Sequence, residues 1–302
     1  MRICFVDNHS LGDTCENLIA IRDFKMSNPR VSVGFRGFAQ ELFDNVPWID
    51  KSITRDNADM VYQITQDLIH QSSQNGLHVV RAIEYDMQQK LGYDIKPGSL
   101  VLPIHFTREE LEDHRIFDEN GIPENYWIID AGGKTDNPTK HYPMSYFQQI
   151  VNMTKGKVNW VQIGKLGDGH FHKPLDGVVN LLGKTDNLRD LLKIFYFSSG
   201  VLSIISAPLH LSAMPMAHSN FPRPCVVLGG GRENPSWTLY PNHHWFSSVG
   251  MLDCCRRGCW KSKVVNDCKH PEKVDEQDVP LCQKMISPVS VAEMVMKLYE
   301  RS

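Results

Sequence analysis

No stretch of this 302-residue chain is apolar for long enough to cross a bilayer. The most apolar run, GVLSIISAPLHLSAMPMA from Gly200 to Ala217, is interrupted by serine, proline and histidine. The N-terminus offers one arginine ahead of Ile3 to Val6, too short a core for a secretory signal, so a soluble cytoplasmic protein is the expectation. An excess of one charge is missing as well. Lys and Arg number 32 against 35 Asp and Glu, a net charge of −3, which argues against a broad basic surface for nucleic acid or anionic membrane. Neither G-x-G-x-x-G nor G-x-x-x-x-G-K-[S/T] occurs, which removes the dehydrogenase fingerprint and the Walker loop. The paired C-x2-C units of a zinc ribbon are absent, and there is no internal repeat or low-complexity tract. What remains is a globular composition, 41% hydrophobic and 22% charged, long enough for one large or two ordinary domains.

Within that frame, short apolar runs alternate with helical patterns. Ile3 to Val6 and Val31 to Phe35 are β-type, separated by an apolar-periodic segment led by Leu18, Ile19 and Ile21. The stretches Phe38 to Phe43, Ala58 to His70 and Val79 to Leu91 read as helical. The segment from Gly92 to Tyr126 is rich in Pro, Gly and charge. Beyond it the alternation restarts, with strands YWIID, VNWVQIG, VVNLLG, GVLSIIS and PCVVLGG and helices MSYFQQIV, LRDLLKIFYF and LHLSAMPMA. Apolar strands with helices between them imply parallel sheets covered on both faces. The expected fold class is α/β with two Rossmann-like domains facing across a cleft: residues 1–104, then 105–286, then a terminal helix over 287–302 capped by Ser287 with Pro288 at its first position.

Chemistry-bearing residues gather where strands give way to helices. Asp13 follows the first strand; with Glu16 three residues on, it reads locally as a helix cap, and by position as a carboxylate at the carboxyl edge of a parallel sheet. In IIDAGGKTDNPTKHYP a strand ends at Asp130. Gly132 and Gly133 then let backbone N–H groups approach an anion, and Lys134, Thr139 and Lys140 supply charge and a hydroxyl. In SIISAPLHLSAM, His210 sits at a helix start beside the sheet edge. In VVLGGGRENP, Gly230, Gly231, Arg232 and Glu233 suit close approach to a ligand, or equally a tight turn with a surface ion pair.

Cysteine is unevenly spread. Of eight, Cys4, Cys15 and Cys225 are scattered, and Cys254, Cys255, Cys259, Cys268 and Cys282 crowd the segment 254–282. Four thiolates there, Cys255, Cys259, Cys268 and Cys282, would close a tetrahedral site for a structural zinc or iron, with Cys254 and His270 as competing ligands.

Taken in order, SLGDTCENL through VPWIDKSI, AGGKTDNPTKHYPMSYFQQIV, LLGKTDNLRDLL and APLHLSAM resemble family 9 glycosyltransferases, the group of ADP-heptose-using lipopolysaccharide heptosyltransferases. GGRENPSWTLYPNHHWF followed by CCRRGCWKSKVV and LCQKMIS resembles a cysteine-bearing branch, and autotransporter heptosyltransferases likewise carry a cysteine-bound iron near this location. The resemblance implies a GT-B fold and inverting sugar transfer from a nucleotide sugar without a catalytic divalent metal. It makes Asp13 the general base. Lys140, with Thr139 and the Gly132-Gly133 backbone, would hold the donor pyrophosphate, Asp168 the donor ribose, and His210 would lie beside the phosphates. Where heptosyltransferases have Asp-Thr-Gly before Pro-x-His, this chain has Ile205, Ser206 and Ala207, which leaves the sugar open. The acceptor is open too: a saccharide, a protein or hydroxylated bases in DNA. A nucleotide-sugar-binding protein without catalysis is the reading from another class, and the oligomeric state is undetermined.

Overall fold

The computed structural model describes every residue except 66, 186, 260–267, 276 and 301–302, together with the side chains of 69 and 70. The 260–267 part of the cysteine-rich segment and the last two residues of the expected terminal helix therefore lie outside the described residues. The first half runs β1 (Arg2–Asp7), α1 (Leu11–Ser27), β2 (Ser32–Gly37), β3 (Met60–Gln63), α2 (Ile69–Asn75) and α3 (Val79–Leu91). Its strands form one parallel sheet in the order β2-β1-β3. Ala58 to His70 is thus not one helix. Met60, Tyr62 and Ile64 face inward in alternation with exposed Val61 and Gln63, a period of two that selects a strand. Phe38 to Phe43 forms only a 3-10 turn at Gln40–Phe43.

Two short helices, α4 (Arg108–Glu112) and α5 (Arg115–Asn120), occupy the Pro- and charge-rich connection. The second half then follows as β4 (Trp127–Asp130), β5 (Gly133–Lys134), α6 (Met144–Met153), β6 (Trp160–Ile163), β7 (His170–Phe171), β8 (Val179–Asn180), α7 (Leu188–Phe197), β9 (Gly200–Ile204) and α8 (Ala207–Leu211). Next come β10 (Pro215–Met216), β11 (Ser219–Pro222), β12 (Cys225–Gly230), α9 (Pro235–Thr238), β13 (His243–Ser247), the hairpin β14 (Pro271–Val274) and β15 (Gln277–Pro280), α10 (Leu281–Lys284) and α11 (Pro288–Tyr299). Six strands pair in parallel in the order β13-β12-β9-β4-β6-β8. The helix expected over LHLSAMPMA stops at Leu211, because Pro215 cannot continue it and Pro215–Met216 pairs with β11 instead. Ser287 does cap α11, accepting from Ser290 N at 3.5 Å.

The helix α1 explains how the halves meet. Leu18, Ile19, Ala20 and Ile21 are consecutive and all fully buried, so the helix has no solvated face along this stretch. It packs on α3 of its own half and on α8 of the other. One apolar cluster therefore runs from Phe5 and Phe24 through α1 to Leu209, Val201 and Tyr240. A second cluster, with Trp127, Phe147 and Val295, fills the opposite face of the six-stranded sheet beneath α6 and α11.

Candidate active site

The turn from β1 into α1 starts the site. Ser10 is the N-cap of α1, and Asp13 sits at its third helical position. Asp13 Oδ2 accepts from Ser10 N at 3.1 Å and from Ser10 Oγ at 2.6 Å. Asp13 is therefore not the cap itself; the sequence Ser10-x-x-Asp13 makes the capping box, and Asp13 is its acidic member. The half-buried carboxylate is thereby held in place at the sheet edge. Below it, fully buried Asp7 accepts from Thr14 Oγ1 at 2.9 Å and approaches His9 Nδ1 at 2.5 Å.

From the other half, α8 brings His210 against this turn. A Cβ built on Gly12 would stand 3.0 Å from His210 Cδ2, so glycine beside Asp13 is what lets the ring close in. His210 Nδ1 lies 2.9 Å from the Tyr240 hydroxyl and 3.5 Å from Glu16 Oε1. Burial holds His210 neutral, its pKa down at about 3 despite the upward pull of Asp13. Burial also pushes Glu16 well above the usual carboxylate range, with Asp13 and Glu233 adding to the effect.

The cationic wall comes from two loops that follow β4 and β12. The 3-10 turn Pro138–Lys140 presents Thr139 and Lys140, and β12 ends in Gly230-Gly231 before Arg232 and Glu233. Arg232 is only 3% exposed. Its Nη1 donates to Thr139 Oγ1 at 2.5 Å, its Nη2 to Asn137 Oδ1 at 3.2 Å, and its Nε to Glu233 Oε1 at 3.3 Å. Lys140 Nζ stands 4.0 Å from Glu233 Oε1. Burial pulls the Lys140 pKa down and Glu233 pulls it up; Asp13 and Glu16 also act on it from α1, so the acidic and basic halves share one field. Glu233 Oε2 is buried without a hydrogen-bond partner among the described residues.

Of the sequence-derived candidates, the fold brings Asp13, Thr139, Lys140, His210, Arg232 and Glu233 together. Gly230 takes a left-handed φ of 55° against the Gln283 amide, which in turn donates to the Leu228 carbonyl. Gly231 backs onto the cysteines: a Cβ there would lie 2.7 Å from Cys255 Sγ. The glycines after Asp130 serve packing more than an open anion turn. Gly133 and Lys134 pair with Phe171 and His170, and Gly132, with φ 129°, leaves no room for a Cβ beside the Phe171 carbonyl. Lys134 is exposed, and Asp168 is exposed in the 164–169 loop. Asp130 accepts from Ser206 Oγ at 2.5 Å and Ser203 Oγ at 3.1 Å, a structural tie across the sheet edge.

Glu16 and Tyr240 were not singled out as site residues from the sequence. In the sequence Glu16 reads only as a capping partner of Asp13, and no spacing around Tyr240 marks it as a site residue.

The five clustered cysteines line a cavity of about 420 Å³ together with Thr139 and His270. Burial pushes the Cys259 thiol up to about 11 and that of Cys282 to about 12. Among the described residues, no three His, Cys, Asp or Glu side chains stand in a ready-made metal cage.

Among solved structures, the chain is similar to the glycosyl transferase family 9 protein from Veillonella parvula DSM 2008, at 15% identity and a TM-score of 0.67, over 100% of this chain and 97% of that one. The fold is that of the family 9 glycosyltransferases. Similar too is Escherichia coli ADP-heptose lps heptosyltransferase II, at 13% identity and a TM-score of 0.61, covering 100% and 99% of the two chains. The dodecameric iron-containing heptosyltransferase TibC, in complex with ADP-D-beta-D-heptose, matches 99% of this chain and 76% of its own, at 17% identity and a TM-score of 0.67. No family model and no curated protein matches the chain by sequence. The family 9 fold is GT-B, and the two parallel sheets described above are its two Rossmann-like layers.

Proposed function

We propose that this chain is an inverting glycosyltransferase that moves a sugar from a nucleoside-diphosphate donor to an acceptor hydroxyl, with 1–104 as the acceptor-side domain and 105–286 as the donor-side domain. The observation that carries the reading is the meeting of Asp13, on the first turn of α1, with the Lys140 and Arg232 wall beside neutral His210. In this mechanism Asp13 takes the proton from the acceptor hydroxyl as its oxygen attacks the anomeric carbon. The bond to the donor diphosphate breaks on the opposite face, which inverts the centre. Lys140 and Arg232, fixed in a water-poor site, stabilise the charge that builds on the leaving diphosphate, a role a metal-free transferase must give to side chains.

The experiment is a thermal-shift screen of ADP-, UDP- and GDP-sugars against the full chain. Since a ligand that binds only the folded state adds about 2.7 kcal/mol at a hundredfold excess over Kd, one nucleotide class is expected to raise the melting temperature by several degrees. No shift with any nucleoside diphosphate or its sugar ester would sink the donor-site reading.

The cysteine segment has a separate reading as a structural metal site. Soft thiol donors fit zinc or iron, and the shared cavity gathers Cys255, Cys259, Cys268 and Cys282, with Cys254 and His270 as alternates. A metal held there would brace the loop that backs Gly231 and Arg232, and would require the thiols to give up their protons. Purified chain is expected to carry about one zinc or iron by elemental analysis and to lose stability on chelation. Metal-free protein of unchanged stability would refute it.

A further inference from the structure

Glu16 has no part in the chemistry proposed above, yet it stands beneath that site. It lies one helical turn from Asp13 on the same face of α1, a spacing of three residues that stacks the two side chains. It is 4% exposed. The groups that face it come from every element packed there: Asp13 and Cys15 on its own helix, Asp7 on β1, Lys140 from the 3-10 turn, Glu233 after β12, His210 on α8 and the Tyr240 hydroxyl after α9.

The charges of this set do not balance. Asp7 is tied to His9 and Thr14, and among the described residues the carboxyls of Asp13, Glu16 and Glu233 gather around the cations Lys140 and Arg232. His210 supplies no positive charge in its neutral form. With all three carboxyls ionised the set is anionic before any ligand arrives. A diphosphate docked on Lys140 and Arg232 makes it far more so, within a site that water screens poorly. The geometry singles out which carboxyl gives way. Asp13 accepts two hydrogen bonds from Ser10, and Glu233 Oε1 has Arg232 at 3.3 Å and Lys140 at 4.0 Å, whereas Glu16 Oε1 faces an uncharged imidazole at 3.5 Å.

We infer that Glu16 is a proton-holding positioning residue beneath the donor-phosphate site: a nucleoside diphosphate binds against Lys140 and Arg232 only while Glu16 is a neutral acid, so that donor binding is coupled to a proton on Glu16. The inference rests on the donor-site reading above. Where Glu16 is ionised before binding, one proton passes from solvent to its carboxylate as the diphosphate docks. Where it is already neutral, none moves.

The test is calorimetric titration of the full chain with ADP between about pH 7.5 and 9.5, above the terminal phosphate's own ionisation near pH 6. Running it in two buffers of different ionisation enthalpy counts the protons taken up. Wild type is expected to lose ADP affinity by about tenfold per pH unit above the Glu16 transition, with uptake approaching one proton. Glu16→Gln, a neutral carboxamide of the same shape, is expected to bind ADP with a flat pH profile and no uptake. Glu16→Met serves as a second uncharged variant and carries the same expectation. A slope that survives in both variants assigns the titration elsewhere, Lys140 first, and overturns the inference while leaving the donor site standing. A flat profile without proton uptake in wild type, followed up to the highest pH at which the chain stays folded, overturns it equally, since donor binding is then coupled to no proton on Glu16. ADP that fails to bind wild type at any pH overturns the donor-site reading and this inference with it.

Discussion

Asp13→Asn is expected to cut sugar transfer by about 10²- to 10⁴-fold, the usual share of a positioned general base, while leaving the fold in place. The substitution separates Asp13's two roles. As the third residue of α1, Asp13 accepts from Ser10 N and Ser10 Oγ. An asparagine carbonyl oxygen accepts the same pair, so the capping box survives, and the lost carboxylate at the helix start costs about 0.5 kcal/mol. What an amide cannot do is take a proton from an acceptor hydroxyl. The discriminating measurement pairs turnover at saturating donor with ADP affinity. Turnover should collapse, and ADP should bind at least as tightly as to wild type, because a negative charge acting on Lys140 has gone. Turnover within about threefold of wild type, a loss of only about 0.6 kcal/mol in barrier, would remove Asp13 from the chemistry.

The largest stability effect is expected at Arg232→Met. The guanidinium is buried and binds Thr139, Asn137 and Glu233 at 2.5, 3.2 and 3.3 Å. Taking it away leaves the 2%-exposed Glu233 with a carboxylate that has lost its nearest cation, and one of its oxygens already lacks a partner among the described residues. Breaking a buried pair in this way costs about 3–5 kcal/mol, a large part of the roughly 5–15 kcal/mol that holds a typical domain together. Denaturant unfolding measures it directly. Because most of the cost is the stranded charge, Glu233→Gln in the same chain should recover at least about half of it. A single variant that loses less than about 1 kcal/mol would show that the pair bears little of the loop's stability.

The layered architecture was legible because buried parallel strands are written as uninterrupted apolar runs. Trp127–Asp130 and Gly200–Ile204 announce themselves, and α7 covers the stretch read as a helix. Legibility failed where two periods compete. Met60, Val61 and Tyr62 are all apolar, so the alternation that burial shows in the folded chain is not written in the residue types, and pairing with β1 brings it out. The same limit shaped the site. Asp13, Lys140, His210 and Arg232 lie in the segments that follow strands, where position along the chain is itself a signal. Glu16 and Tyr240 gain their meaning from α8, which meets α1 only through docking of elements far apart in sequence, so no spacing in the chain encodes that pairing. Ser10 was the reverse case. Its capping box was written in the residues, but Asp13-x-x-Glu16 offered the same spacing one turn later.

The apolar cluster that threads α1 has a consequence for how the molecule comes apart. Leu18 to Ile21 belong to the same packed body as Leu209 and Val201, so the α1-covered face of the small three-stranded layer shares its interior with the larger layer, while Cys4, Val6 and Ile53 form a small cluster apart on the other face. Peeling one layer from the other would strip α1 of cover on one side and expose a continuous oily surface to water. Topology draws two units here, but the shared cluster is expected to make them melt as one cooperative block, with damage to Phe5 or Phe24 lowering the stability of both layers together.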